Sequence, residues 1–152
     1  MFATLNNFLS AFVEPAGVEP HPEHTLQLAT AVLLIEVMKS DNNYANVEQE
    51  TILKILKQRF LLTDAQVAQL TERGKKTADS ANDFYQFTSL INRELGRTER
   101  IRILEYMWQV AYADHKISAD ENHLMRKMGD LLHISHADYI AAKMRAKPAD
   151  ME

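Results

Sequence analysis

Cysteine is absent from the chain altogether. That excludes a disulfide framework, a thiolate zinc site, an iron–sulfur cluster and a cysteine nucleophile. Glycine and proline are scarce, four of each in 152 residues, too few for a loop-rich all-β domain that turns about every ten residues. Aromatic residues make up only 8%, so the core has to be mainly aliphatic. No apolar run is long enough to span a bilayer. The nearest, Leu26 to Met38, is broken by Gln27, Thr30 and Glu36, and the N-terminus lacks the basic stretch that opens a signal peptide. Positive charge is not in excess either: 17 Lys and Arg stand against 21 Asp and Glu, a net charge of −4. A nucleic-acid-binding surface would need the opposite balance. These absences predict one soluble, cytoplasmic domain with no transmembrane segment and no nucleic-acid partner.

What is present favours helices. Seven Met and many Leu, Ala, Glu and Lys are good helix formers, and no segment alternates with the period of a strand. Phe2, Leu5, Phe8, Leu9, Phe12 and Val13 share one helical face, and Glu14 to Pro22 holds three of the four prolines. Residues 1–22 therefore read as a short amphipathic helix and a stiff extended connector. The helix is expected to pack back on the domain. With no Lys or Arg it is a poor ligand for anionic lipid, although peripheral membrane association and pairing of two copies into a homodimer are further readings of it.

Residues 23–148 read as the domain proper. A helix apolar on nearly every face runs from Leu26 to Ser40, the pattern of a helix in the middle of a bundle. A polar loop, Asp41 to Asn46, precedes a helix over Val47 to Phe60. Thr63 and Gln66 have the spacing of a capping box and open a helix through Leu70, with Gly74 to Ala81 as a polar interruption. A helix over Asn82 to Leu95 ends at Gly96. Thr98 caps a second mostly apolar helix, Glu99 to Ala113. After a loop led by Asp114, Ser118 and Glu121 form another capping box, opening a helix through Leu132. Ser135 caps the last helix, His136 to Lys147. The expectation is an all-α fold of about eight helices with two long central ones.

The chain also repeats itself. At an offset of 73, Val37 matches Val110, Asp41 matches Asp114 and Glu48 matches Glu121. At 72, Ile52 faces Leu124, Leu56 faces Met128, Leu62 faces Ile134 and Thr63 faces Ser135. Each unit is a buried helix, an Asp-led loop, a second helix and a capped turn, which predicts two helix pairs related by a pseudo-two-fold axis.

The repeat carries the one constellation with chemistry in it. Asp41 and Glu48, then Asp114 and Glu121, put two carboxylates at each Asp-led loop. Hard divalent cations such as Ca²⁺ need converging oxygen ligands of this kind. Capping and helix-dipole interactions account for Glu48 and Glu121 equally well, and the spacing is not that of an EF-hand. Glu36, inside an apolar helix, is either paired, for instance with Arg100 or Arg102, or a further acidic ligand. His115, His123, His133 and His136 lack any zinc-site spacing. No nucleophile elbow, phosphate-binding glycine loop or dinucleotide turn occurs, so no catalytic residue is assigned.

Five segments together, LLIEVMKSD at Leu33 to Asp41, DFYQFTSLINREL at Asp83 to Leu95, WQVAYAD at Trp108 to Asp114, ISADE at Ile117 to Glu121 and LLHIS at Leu131 to Ser135, resemble the tellurite-resistance protein B (TerB-like) family over about His24 to Ala142. The resemblance implies a bacterial, cytosolic, all-helical bundle associated with metalloid and stress resistance, binding protein partners rather than catalysing a reaction. It also implies a divalent-cation site at Asp41, Glu48, Asp114 and Glu121, with Glu36 as a fifth candidate. The family's usual residue after the loop Asp is Gly, where this chain has Asn42 and His115. Two functional readings follow: a non-enzymatic interaction module with an acidic, cation-binding face, and a metal-dependent enzyme using the same carboxylates.

Overall fold

A computed structural model describes residues 22–40, 46–81 and 83–151. Among them are seven helices and no strand: α1 (Pro22–Ser40), α2 (Asn46–Phe60), α3 (Asp64–Ser80), α4 (Tyr85–Glu94), α5 (Arg97–Ala111), α6 (Ala119–Leu131) and α7 (His136–Ala146). The expected N-terminal helix, most of its connector and the loop headed by Asp41 lie outside the described residues. No helix among the described residues is long and apolar enough to cross a membrane.

The two apolar helices are central, as their composition predicts. Leu28, Ala29 and every residue from Ala31 to Leu34 of α1 are inaccessible to solvent, as are Leu104, Met107, Trp108, Val110 and Ala111 of α5. The two pack on each other, and each also packs on the other unit's second helix, α1 on α6 and α5 on α2. Within the units, α1 packs most extensively on α3, and α5 most extensively on α7. Every one of these pairings has a counterpart under the repeat.

The repeat extends to the backbone. Leu61 and His133, 72 positions apart, are both left-handed, with φ of 54° and 55°. The amide of Leu62 donates to the Lys57 carbonyl at 3.0 Å, and that of Ile134 to the Gly129 carbonyl at 3.0 Å. This is the same Schellman closure at the end of α2 and of α6. Thr63 and Ser135 then cap the next helices, their hydroxyls accepting from the Gln66 and Asp138 amides at 3.1 and 3.2 Å.

Several expected boundaries moved: α1 begins at Pro22 rather than Leu26, α4 at Tyr85 rather than Asn82, and two glycines act otherwise than expected. Residues 74–80 continue α3 rather than interrupting it. A Cβ on Gly74 would stand 2.7 Å from Ile35 Cδ1 and 3.3 Å from Ala31 Cβ, so the glycine lets α3 press against α1, and that packing offsets its low helix propensity. Gly96 does not terminate α4. Leu95 does so in an extended conformation, and Gly96 is the N-cap of α5, with φ −78° and ψ 178°. Thr98 is thus inside the first turn of α5.

Candidate functional site

Two of the three candidate glutamates sit where the first turn of a helix meets the core. Glu48, in the first turn of α2, and Glu121, in the first turn of α6, are both 0% exposed. They occupy matched positions of the repeat. Moving a carboxylate out of water costs several kcal/mol even after relaxation. Part of that is offset at each site by the positive end of its helix dipole. At Glu121 the capping box adds to it: Oε1 accepts from the Ser118 amide at 2.9 Å, and Ser118 Oγ accepts from the Glu121 amide at 3.0 Å.

The α5–α6 loop turns immediately before this cap. Asp114 is half-buried, and its Oδ1 accepts from the Lys116 amide at 3.1 Å, an Asx-turn. Between them His115 has φ 60° and donates its amide to the Tyr112 carbonyl at 2.8 Å. This is the position where the resemblance leads one to expect Gly. The backbone adopts the left-handed form that Gly would supply, and His, like Asn, is among the residues that tolerate it. The imidazole Nδ1 of His115 lies 3.6 Å from the Asp150 carboxylate. Behind the loop, Tyr112 is buried, which pushes its phenol up from the ordinary value.

Asp114 thus lies on the α5–α6 loop and Glu121 in the first turn of the helix that follows it, with Glu48 at the matched first turn of the other unit. Asp41 falls outside the described residues. Glu36 has a basic neighbour, but it is Lys39 rather than Arg100 or Arg102. Its charged neighbours are Lys39, at 4.0 Å, and Asp79 on α3, to which Lys39 Nζ donates at 2.9 Å. Arg100 donates to the Leu95 carbonyl instead. Burial raises the Glu36 carboxyl above its usual range, against the lowering effect of Lys39. Among the described residues no three His, Asp or Glu side chains converge as a ready-made metal cage.

The carboxylates and the Ser118 hydroxyl offer oxygen donors, while the nearby His115 imidazole faces Asp150 instead. Oxygen donors suit a hard cation such as Ca²⁺ or Mg²⁺ and not a thiophilic metal. The signal for these residues was the repeat itself. What the sequence could not distinguish was a first-turn glutamate facing water from one wholly withdrawn from it.

No curated protein and no solved structure matches the chain. The family model described as tellurite resistance protein TerB matches residues 27–144, from the first turns of α1 into α7, and the chain therefore belongs to the TerB family.

Proposed function

We propose that this TerB domain is a non-enzymatic helical module of stress and tellurite resistance, cytoplasmic, that binds protein partners and holds a divalent cation at its acidic loop pair. The observation that carries this reading is the complete burial of Glu48 and Glu121 at matched first-turn positions. A single buried first-turn carboxylate is a capping solution. The same solution placed twice, each time just after an Asp-led loop, supports a shared role for the four carboxylates. Asp114 and Glu121 would hold the cation from one unit, Asp41 and Glu48 from the other. The cation would supply positive charge that ties the two loops together, and the surface so ordered would be what a partner reads. With no cysteine in the chain, metalloid capture by a thiol is not available to it, so resistance would act through carboxylates or partners.

Calorimetric titration of the full chain with CaCl₂ and with MgCl₂ tests the cation. Wild type should bind one of them with a Kd in the range of about 10⁻⁵ to 10⁻³ M expected of regulatory and weaker oxygen-ligand sites. Glu48→Gln, Asp41→Asn and Asp114→Asn should each weaken it at least tenfold. Absence of binding by wild type at millimolar cation, or affinity unchanged in all three variants, overturns the cation reading. A hydrolytic turnover abolished by the same variants would replace the module with a metal-dependent enzyme.

A further inference from the structure

The repeat also generates two grooves, one in each second-to-third helix hairpin. The first lies between α2 and α3 and encloses about 830 Å³, with Leu53, Leu61, Leu62 and Val67 as its apolar lining and Lys54 and Lys57 on its rim. The second lies between α6 and α7 and encloses about 360 Å³. Their linings are equivalent by sequence. Moved by 72 positions, Lys54 falls on Arg126, Leu62 on Ile134, Val67 on Tyr139 and Ala68 on Ile140, all of which line the second groove.

The difference between the grooves is aromatic. In the second unit Tyr139 is 8% exposed, its ring edge-on to Trp108 with centroids 5.6 Å apart, and it fits because Gly129 has no side chain. In the first unit the equivalents of Tyr139 and Trp108 are Val67 and Ile35, and Lys57 stands in the place of Gly129. The first groove therefore has the same frame without the ring. Its edge is formed by Leu61, which is 89% exposed and held in a left-handed conformation that an ordinary side chain adopts only at a cost.

We propose that this groove is the docking site for the chain's own N-terminal segment, with a ring from Phe8 or Phe12 entering where the second unit has Tyr139. The place where that segment leaves the bundle supports this. Gly74 of α3 meets Ala31 and Ile35 of α1, and Asp79 meets Lys39, so α1 and α3 run parallel. Tracing α3 back from Gly74 to Asp64 covers about 15 Å, and the same distance along α1 reaches its first turn at Pro22. The groove is thus level with the start of α1. A connector of eight residues, 14–21, would reach about 25 Å if extended at ~3.1 Å per residue, enough to cross two helices packed at about 10 Å. Charge agrees as well. Residues 1–21 carry Glu14 and Glu19 and no Lys or Arg, and the groove presents exposed Lys54 beside Lys57, which is bridged to Asp64 at 2.6 Å.

Because the chain has no cysteine, two introduced thiols report the contact directly. Full-length protein carrying Ser10→Cys with Ala68→Cys, on the groove, is compared with Ser10→Cys and Lys127→Cys, at an exposed position of α6, under a short bis-maleimide. Cross-linking within one chain, at monomer mass, should be at least tenfold faster for the groove pair. Adding Leu61→Lys, which alters only an exposed side chain, should bring it down to the α6 control. Equal rates for the two pairs, or a groove pair indifferent to Leu61→Lys, overturn the proposal. A product at twice the monomer mass overturns it in favour of a second copy as the occupant.

Discussion

Gly129 offers a test in which the sign of one substitution should reverse. It lies inside α6, where replacing Gly by Ala ordinarily gains about 1 kcal/mol of helix propensity. Here the new Cβ would stand 2.8 Å from Tyr139 Cδ2 and 3.3 Å from Cε2. The ring has little room to retreat, since Trp108 backs it edge-on and His136 stacks on it at 6.2 Å. Overpacking of this kind costs about 1–3 kcal/mol, so Gly129→Ala should destabilise by about 1 kcal/mol net, lowering Tm by about 2–4 °C for a domain of this size. Tyr139→Val alone should cost about 2–4 kcal/mol by opening a cavity against Trp108. In that background the obstacle is gone, and Gly129→Ala should now stabilise by about 1 kcal/mol. Urea unfolding of the four proteins gives the coupling directly, expected near 2 kcal/mol. A coupling below about 0.5 kcal/mol, with Gly129→Ala acting alike in both backgrounds, refutes the claim that Gly129 is there to admit the ring.

The two capping boxes should separate by burial. Thr63→Ala, at an exposed cap, should cost about 0.5–1 kcal/mol, and Ser118→Ala, half-buried beside Glu121, about 1–2 kcal/mol; equal losses in thermal melts would show that the buried setting adds nothing. Glu36→Gln should be more stable than wild type at neutral pH, because burial raises the Glu36 carboxyl and so penalises its charged form in the fold. The advantage should vanish as pH falls below the ordinary glutamate range, where folded and unfolded chains are both protonated. Melting curves from acid to neutral pH that stay parallel would contradict this.

Much of this fold could be read from residue order because its signals are local. Thr63 with Gln66, Ser118 with Glu121 and Ser135 declared the starts of α3, α6 and α7. The mostly apolar stretches in α1 and α5 declared the central pair. What failed to show was set by contacts distant in sequence. Gly74 reads as a breaker until Ala31 and Ile35 are known to lie against it. Gly96 reads as an end until Leu95 is seen to end α4 itself. The left-handed turn at Leu61 was hidden because leucine carries no turn signal, and only its equivalence with His133 gives it a sequence correlate. At the acidic loops the repeat picked out Glu48 and Glu121, but it could not say that both are withdrawn from water. Polarity at a helix start is the same letter in either case.

The single tryptophan of the chain is wholly buried in the second unit, edge-on to Tyr139 and beneath Lys143, whose Nζ lies 4.9 Å from the ring centroid. Its emission is therefore a private reporter of the α5–α7 half, while far-ultraviolet dichroism sums over both halves. Followed together through a denaturant titration, the two signals ask whether a fold built by repetition comes apart as one body or as two. Coincident transitions would mean that the contact between α1 and α5 is strong enough to make the halves a single cooperative unit.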